Sequence, residues 1–469
     1  MRLLEIITSA ILGLCFLRLF LARRPRWSDF LPSIGILAVI LQLLLEGYRW
    51  QMIPVYLLML VEFLLSLPAL LKREQTAKAN SWKKTAGGMG GLLLTAAALV
   101  LPVLFPIPRG LPPTGPYQVG TFSIALTDNA RHEIYSNNPQ DPRRIMVQVW
   151  YPTDPVPGTP LSPWVDHAEI YGPAISRYLH LPAFFLDHLK YARTNSYVGA
   201  PVSKTQAKYP LLLFSHGFPG FRAQNTYQIQ ELASHGYIVA AVQHTYGAVV
   251  TVFPDGTTIP YNPQALPDNV SKADYNAAAN RLVNEWAGDL GFVLDTLTLM
   301  NQNDTQHGLL GRLDLERVGV FGHSTGGGAT VEFCARDARC KAGLGEDAWL
   351  TPVSPSVISA GVRQPFLFLY SEQWAYYRSD NEALFKQLYL HSSQATTATI
   401  MGTAHYDFTD LPLLTPIAAQ IGLKGPINGQ RVMMIIDDYS LAFFNKALLG
   451  KPSGLLNGPS AQFPEVKFP

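Results

Sequence analysis

The pattern of apolar and polar positions changes abruptly near Phe105. Before this residue, apolar side chains follow one another almost without interruption, and only short basic clusters separate them. After it, charged residues, Gly, Pro and aromatic residues mix with apolar ones, as in globular domains. We therefore predict a transmembrane helical region over residues 1–105, a linker rich in Pro and Gly over residues 106–116, and a folded domain over residues 117–469.

The first region contains four apolar runs. A helix that spans a bilayer needs roughly 20 mostly apolar residues, so the runs predict a bundle of about four transmembrane helices. The second run is short and would have to include flanking residues. A cleaved signal peptide is an alternative for the first run, but no small-residue cleavage site follows it and further runs do. The runs cover residues 3–22, 30–45, 52–71 and 87–105.

Basic residues between the runs predict the orientation of the bundle. Lys and Arg beside spanning helices favour the cytoplasmic side. They cluster in the first and third loops, whereas the second loop balances Glu46 against Arg49. We therefore expect the N-terminus and everything after Phe105 on the extracytoplasmic side of the cell membrane. The basic residues are Arg23, Arg24 and Arg26 in the first loop and Lys72, Arg73, Lys78, Lys83 and Lys84 in the third.

Three charged residues lie in or near the apolar runs, namely Glu5, Arg18 and Glu62. Burying a charge in a bilayer is costly, so such residues are either functional or extend to the interface. Glu5 and Arg18 lie near opposite ends of their helix, and we expect their side chains to reach the interface. Glu62 lies in the middle of its apolar run and cannot reach the interface in this way, so its position is the unusual one.

The second region predicts an α/β fold with a mostly parallel central sheet flanked by helices. Short, nearly continuous apolar runs are typical of buried parallel strands, and the stretches between them are long enough for helices, for instance residues 276–299 and 329–336. Residues 144–151 alternate like a half-exposed antiparallel strand, which we expect at an edge. The predicted buried strands are Tyr209–Ser215 and residues 237–242, 317–321, 340–344, 365–371 and 398–401.

Charge and cysteine content exclude several classes of function. The net charge of +2 gives no basis for nucleic-acid binding, so no nucleic-acid partner is expected. Only 3 Cys are present, too few for a thiolate zinc cage or a disulfide scaffold. Cys334 and Cys340 either pair in an oxidising compartment or remain two reduced thiols. We expect neither a metal ion nor an organic cofactor.

The most specific chemical signal is the stretch Gly322, His323, Ser324, Thr325, Gly326. It fills the pattern G-x-S-x-G directly after a predicted strand and before a helix, which is the context of a nucleophile elbow. The glycines permit a turn too tight for side chains. We therefore predict Ser324 as a catalytic nucleophile.

A serine hydroxyl needs a general base, and His405 is the best candidate. It follows the last predicted strand, and in this type of fold the base comes last in chain order. His323 lies inside the elbow and should point away from the hydroxyl. An oxyanion hole requires backbone N–H donors, for which Thr325 and Phe218 are candidates; an ordinary Gly-Pro turn is the alternative reading of the stretch around Phe218.

The third member of a triad remains open between two carboxylates. Glu372 follows the strand predicted over residues 365–371, near the position from which many folds of this type supply the acid. Asp347 follows the strand over residues 340–344. Both loops open at the carboxyl edge of the sheet, so geometry does not choose between them. Glu346 should point to the other side of the chain from Asp347.

Several stretches carry a family resemblance: YPLLLFSHG from Tyr209, ASHGYIVAAV from Ala233, GHSTGG from Gly322, DAW from Asp347 and GTAH from Gly402. In this order they resemble the plasma-type platelet-activating factor acetylhydrolases and their relatives among the dienelactone-hydrolase-like proteins. The resemblance covers residues 118–449 and implies an α/β-hydrolase fold.

The resemblance also implies a set of functional residues. They are Ser324, Asp347 and His405 as the catalytic triad, with Phe218 and Thr325 at the oxyanion hole. The implied activity is like that of 1-alkyl-2-acetylglycerophosphocholine esterase, the cleavage of short or oxidised acyl chains from phospholipids. No cofactor is implied.

We therefore expect a membrane-anchored serine carboxylic ester hydrolase whose partners are a small ester or lipid substrate and the membrane. One alternative is a broad esterase of the dienelactone type, or one that acts on polymeric esters. Another is a catalytically silent membrane protein that only binds, against which the complete triad argues. Aromatic residues that could line an acyl pocket are Trp164, Tyr246, Trp286, Trp349 and Trp374.

Overall fold

The computed structural model describes residues 1–21, 25–72, 81–377 and 379–469. These form two compact units, one of Met1–Pro108 with Leu414–Ile417, the other of Arg109–Leu413 with Ala418–Pro469. Four of the basic residues that predict the orientation of the bundle lie outside the described residues, namely Arg23, Arg24, Arg73 and Lys78.

The first unit is built from helices that are long and apolar enough to cross a membrane. The second candidate span begins at Trp27, because a 3₁₀ turn over Arg26–Phe30 precedes the α-helix and adds the flanking residues that the short apolar run needs. Small residues let the helices approach closely, since a Cβ atom on Gly91 would lie 1.9 Å from the Phe16 ring. The helices are α1 (Leu3–Leu17), α2 (Leu31–Leu45), α3 (Ile53–Lys72) and α4 (Ser81–Leu104).

Charged side chains in this unit, among them Glu5 and Arg18, pair with one another. Glu5 and Arg49 have fully buried side chains, and an Arg49 nitrogen lies 2.9 Å from the Glu5 carboxylate. Arg18 lies 3.6 Å from Glu62. Arg18 and Glu62 carry opposite charges and neutralise each other, so Glu62, the most unusual charged residue of the apolar runs, has a partner within the unit.

The second unit contains an 11-stranded sheet whose central part is parallel. The order of its strands is β13-β12-β11-β10-β9-β5-β6-β2-β1-β4-β3. β7 and β8 form a separate hairpin. The strands are β1 (Gln118–His132), β2 (Pro142–Thr153), β3 (Leu161–Pro163), β4 (Arg193–Val198), β5 (Tyr209–Ser215), β6 (Ile238–Gln243), β7 (Val250–Val252), β8 (Thr258–Pro260), β9 (Leu313–His323), β10 (Cys340–Glu346), β11 (Phe366–Ser371), β12 (Ala395–Ile400) and β13 (Val466–Lys467).

The predicted parallel strands are all present, but the expected edge position of residues 144–151 is wrong. They belong to β2, which is antiparallel as predicted but lies between β6 and β1 and is almost entirely buried. The strand β1 covers it on the outer side. The sequence of β1 mixes Gly, Thr, Ser, Asp and Asn with apolar residues, so it contains no continuous apolar run from which a strand could be predicted.

Helices cover both faces of the sheet and create two hydrophobic cores. One core contains Trp286 and Leu290 of the helix Lys272–Asn303 and Val331 of the helix Thr325–Arg336; the other contains Ile436 and Phe443 of the helix Gly429–Leu449. This two-sided burial explains the continuous apolar character of the central strands. The helices are α5 (Ala168–Tyr178), α6 (Thr226–Ser234), α7 (Lys272–Asn303), α8 (Thr325–Arg336), α9 (Pro355–Ala360), α10 (Glu372–Tyr377), α11 (Ser379–Leu390) and α12 (Gly429–Leu449).

Candidate active site

Ser324 occupies the junction between β9, which ends at His323, and α8, which begins at Thr325. Its backbone has φ 56° and ψ −117°, a conformation that costs a non-glycine residue on the order of 1–3 kcal/mol. The turn is held from both sides, because the Ser324 N–H donates to the Glu346 carbonyl at 2.9 Å and the Trp349 N–H donates to the Ser324 carbonyl at 2.9 Å. The sequence pattern thus folds into a strained strand-to-helix turn.

The glycines around this turn are required by close backbone contacts. A Cβ atom at Gly326 would lie 2.0 Å from the carbonyl oxygen of Ser215, and one at Gly322 would lie 2.4 Å from the carbonyl oxygen of Gly326. A side chain at either position would therefore push β5, β9 and α8 apart. Only glycine allows this approach.

His405 and Asp347 come together from the ends of different strands. Asp347 directly follows β10, and His405 begins a 3₁₀ turn after β12. His405 Nδ1 lies 3.0 Å from Asp347 Oδ2, and the Asp347 side chain is fully buried. The Ser371 N–H and hydroxyl also donate to Asp347, each at 2.6 Å. Trp374 stacks on the His405 ring at 4.2 Å and 8°, which fixes the plane of the imidazole.

Burial changes the acidity of the groups beside Ser324. It raises the pKa of Asp347 to about 7, although the hydrogen bonds from Ser371 act in the opposite direction. It also raises the pKa of Glu346 to about 8 against the hydrogen bonds from Gln228 and Asn225. These amides face Glu346 from α6 and the loop before it, so the two adjacent carboxyl groups have different partners, as expected.

His323 connects the turn to the loop of His405, a role that its sequence position did not reveal. Its Nδ1 lies 3.0 Å from the Gln224 amide nitrogen, which can only donate, so the His323 proton is on Nε2 and is donated to the His405 carbonyl at 3.0 Å. Burial and the neighbouring His405 lower the pKa of His323 to about 3, so it is neutral. As expected, it is engaged away from the Ser324 hydroxyl.

Glu372, the second candidate for the acid, is bonded to the backbone instead of to His405. Its carboxylate accepts the Gly402 N–H at 2.7 Å, and its own N–H donates to the Thr403 hydroxyl at 3.2 Å. Glu372 therefore braces the loop that carries His405. Of the two carboxylates, Asp347 is the one within hydrogen-bond distance of the imidazole.

The loop after β5 passes beside Ser324 and carries Phe218. A Cβ atom at Gly217 would lie 3.4 Å from Ser324 Cβ and 3.1 Å from His323 Nδ1. Thr325, the other candidate donor, is the first residue of α8. Thr325 thus follows Ser324 in the chain, and Gly217, the residue before Phe218, lies beside Ser324 in space. Among the described residues, no group of three or more His, Cys, Asp or Glu side chains is placed to hold a metal ion.

Of the five aromatic residues proposed for an acyl pocket, Trp374 stacks its ring on a site residue, and the rings of the others lie against other side chains. Trp286 stacks on His244, and Trp164 donates to Asp410 at 2.6 Å. Tyr246 lies near Tyr135 and Trp349 lies near Tyr275.

Other aromatic rings lie near the candidate site, and they come from segments that are far apart in sequence. Tyr261 contacts both Phe218 and Tyr178, with ring centroids 6.3 Å and 5.8 Å apart. Tyr406 lies beside His405, and both Tyr178 and Tyr406 are 41% exposed. These rings give the surroundings of the site an aromatic, partly accessible character.

The family described as Platelet-activating factor acetylhydrolase, isoform II, matches residues 107–452. The chain belongs to this family. The resemblance seen in the sequence is thereby confirmed, and so is the expected activity of a carboxylic ester hydrolase. The mostly parallel sheet with flanking helices agrees with the α/β-hydrolase fold.

Similar proteins agree with the assignment to the acetylhydrolase family. A platelet-activating factor acetylhydrolase of Cavia porcellus is 28% identical over 366 residues, covering 73% of this chain and 78% of its own length. A probable 1-alkyl-2-acetylglycerophosphocholine esterase of Arthroderma benhamiae is 28% identical over 418 residues, covering 80% and 97%. The solved structure of a ferulic acid esterase from Streptomyces cinnamoneus superposes with a TM-score of 0.63 at 28% identity, covering 77% of this chain and 99% of its own.

Proposed function

We propose that this member of the acetylhydrolase family hydrolyses esters with Ser324 as nucleophile, His405 as general base and Asp347 as the acid that orients the base. The observation that carries the proposal is the 3.0 Å hydrogen bond between His405 Nδ1 and the buried Asp347 carboxylate. It directs the proton-accepting face of the imidazole away from Asp347. The bond between the His405 carbonyl and His323, the residue before Ser324, supports the same grouping.

In the proposed mechanism, Ser324 Oγ attacks the acyl carbon while His405 Nε2 takes the hydroxyl proton. The negative oxygen of the tetrahedral intermediate accepts hydrogen bonds from the N–H groups of Phe218 and Thr325. The imidazolium, stabilised by Asp347, returns the proton to the departing alcohol and leaves an acyl-enzyme. Water, deprotonated by His405, then releases the acid and restores the serine.

We propose short-chain acyl esters as the substrates, including phospholipids that resemble platelet-activating factor. The names of the relatives support this substrate class. An aryl ester substrate is a second candidate, favoured by the aromatic rings of Phe218, Tyr261, Tyr178 and Tyr406 near the site and by the structural likeness to a ferulic acid esterase. The ratio of kcat/KM for a feruloyl ester and for an acetyl ester of the same alcohol distinguishes the two.

We further propose that the four helices of the first unit anchor the enzyme in the cell membrane, with the catalytic domain outside. The proposed divisions are residues 1–105 for the membrane region, 106–116 for the linker and 117–469 for the catalytic domain. The disulfide between Cys334 and Cys340 supports a catalytic domain on the extracytoplasmic side, because disulfides persist in oxidising compartments.

Labelling with a fluorophosphonate tests the nucleophile. The full-length chain in detergent should be labelled and should hydrolyse short acyl esters, whereas Ser324→Ala should do neither. Ser359→Ala is the matched control, since Ser359 is an exposed serine of the same unit whose hydroxyl bonds only to the Ser356 carbonyl among the described residues. Labelling or hydrolysis retained in Ser324→Ala contradicts the proposal. A chain that is folded but inactive on every ester tested would instead support a binding protein.

A further inference from the structure

A buried network of polar side chains lies beneath the loop that carries Phe218, and the mechanism above gives it no part. Ser215, His244, Asp289 and Arg143 have no exposed surface. The Ser215 hydroxyl lies 2.9 Å from His244 Nε2, and His244 Nδ1 lies 2.9 Å from Asp289 Oδ2. Burial acts to raise the pKa of Asp289, but the charge of Arg143 outweighs it and holds this pKa below its usual range.

These partners fix the tautomer of His244. The ionised Asp289 can only accept, so the His244 proton is on Nδ1 and Nε2 accepts from the Ser215 hydroxyl. Trp286 stacks on the His244 ring at 4.2 Å and 6°. His244 is therefore held in place and in orientation at the end of β6.

The position of His244 in turn fixes the tautomer of His216. The backbone N–H of His244 lies 3.2 Å from His216 Nε2, which must therefore be an unprotonated acceptor. The proton of the neutral ring is then on Nδ1, and it is donated to the Gly217 carbonyl at 2.7 Å. Burial lowers the pKa of His216 well below its usual value, which keeps the ring neutral.

The Gly217 carbonyl belongs to the peptide group whose N–H is that of Phe218. It accepts a second hydrogen bond, from the Gly220 N–H at 2.6 Å. In a planar trans peptide the C=O and the N–H point in opposite directions. His216 and Gly220 hold this carbonyl on their own side of the loop. The Phe218 N–H therefore points to the opposite side, and the loop itself passes beside Ser324.

We propose that His216 is a positioning residue that aims the Phe218 N–H at the oxyanion, and that the contacts of the His244 ring with Ser215 and Asp289 hold the His244 backbone N–H in place against His216 Nε2. The inference rests on the proposed function, because it assumes that the oxyanion forms at Ser324. The network reproduces the order of a Ser-His-Asp triad, Ser215, His244 and Asp289, yet it is sealed from substrate and acts only through the backbone.

Two substitutions at His216 separate this role from simple packing. His216→Phe retains a ring of similar size but cannot donate to the Gly217 carbonyl, whereas His216→Asn loses volume but places an amide N–H near the position of Nδ1. We expect His216→Phe to lower kcat on the order of 10²-fold with KM unchanged, since a donor misplaced by about 1 Å costs that much. His216→Asn should stay within about tenfold of the wild type despite a lower melting temperature.

The opposite ranking, with the Phe variant more active than the Asn variant, would overturn the proposal, because it would make ring volume the property that matters. His188→Phe is the matched control, a buried histidine of the same unit outside the network, and it should leave kcat unchanged. If His216→Phe does not fold, the steady-state kinetics of Ser215→Ala test the proposal instead. A lower kcat at unchanged KM supports the proposal that the buried network positions His216, and an unchanged kcat overturns it.

Fluorophosphonate labelling separates failure of this inference from failure of the proposed function. In His216→Phe, Ser324 should still be labelled to completion, only more slowly. If the wild type is not labelled at Ser324, the proposed nucleophile is wrong. If both proteins are labelled at the same rate and turn over equally, the nucleophile stands and the positioning role of His216 is wrong.

Discussion

Replacing Asp347 by Asn should nearly abolish turnover without unfolding the protein. Three donors converge on the Asp347 carboxylate: the Ser371 N–H, the Ser371 hydroxyl and His405 Nδ1. An Asn side chain offers one acceptor oxygen, and its amide N–H₂ would face the hydroxyl and the imidazole. His405 would then present an unprotonated Nδ1 to the amide and carry its proton on Nε2, where it cannot accept from Ser324. We expect kcat to fall on the order of 10⁴-fold, about 5 kcal/mol of transition-state stabilisation.

The fold should survive this substitution for two reasons. Asp347 has φ 43°, a region that Asn tolerates well. Burial raises the pKa of Asp347 to about 7, so the ionised carboxylate is disfavoured in the folded state and stability declines as the pH rises towards this value. A neutral amide removes that cost, and the melting temperature of Asp347→Asn at pH 8 should equal or exceed that of the wild type.

Glu372→Gln is the matched control, because it changes a nearby carboxylate that only braces the loop of His405. Its remaining amide oxygen still accepts from the Gly402 N–H, so kcat should fall by less than about tenfold. Steady-state kinetics on a short acyl ester, with circular dichroism to check folding, compares the two variants. Greater damage in Glu372→Gln than in Asp347→Asn, with both folded, would refute the assignment of Asp347.

Three further outcomes are expected. Acetyl to butyryl esters should be turned over faster than long-chain esters, and a kcat/KM that rises steadily with acyl length would indicate a lipase instead. Protease added outside intact cells should digest the hydrolase domain, whereas protection of the domain until lysis would contradict the proposed orientation. Burial raises the pKa of Glu346 to about 8 from its ordinary value of 4.5, so between these two values the folded chain retains a proton that the unfolded chain releases. The free energy of unfolding should therefore fall with rising pH in this range by up to about 1.4 kcal/mol per unit; Glu346→Gln should flatten that slope in urea titrations, and an unchanged slope would show that Glu346 is not its source.

The central sheet could be predicted because its strands are buried on both faces and read as apolar runs. β5 was predicted with its observed bounds. The place of β2 in the sheet could not be predicted, because its neighbour β1 has no apolar run and pairs with β2 through backbone hydrogen bonds that any sequence can make.

Some residues of the candidate site could likewise be predicted from the sequence, and others could not. Ser324 and His405 could be proposed because local sequence and chain order point to them. The network of Ser215, His244 and Asp289 could not, since its members lie on three separate elements and each alone resembles an ordinary buried polar residue. Strand order alone leaves the partner of His405 open between two loops at the same edge of the sheet, and it is the family resemblance that selects Asp347.

The Glu5–Arg49 ion pair ties the first helix of the first unit to a residue far along the chain. At the start of α1, the buried Glu5 carboxylate pairs with Arg2, three residues earlier. Arg49 follows 44 residues later, after α2. In the proposed membrane setting, Glu5 would have both of its arginine partners only once Arg49 lies beside it. Arg49 also donates to the Phe105 carbonyl at 2.7 Å, so the residue that follows the last helix completes the coordination of the cation that balances Glu5 of the first helix.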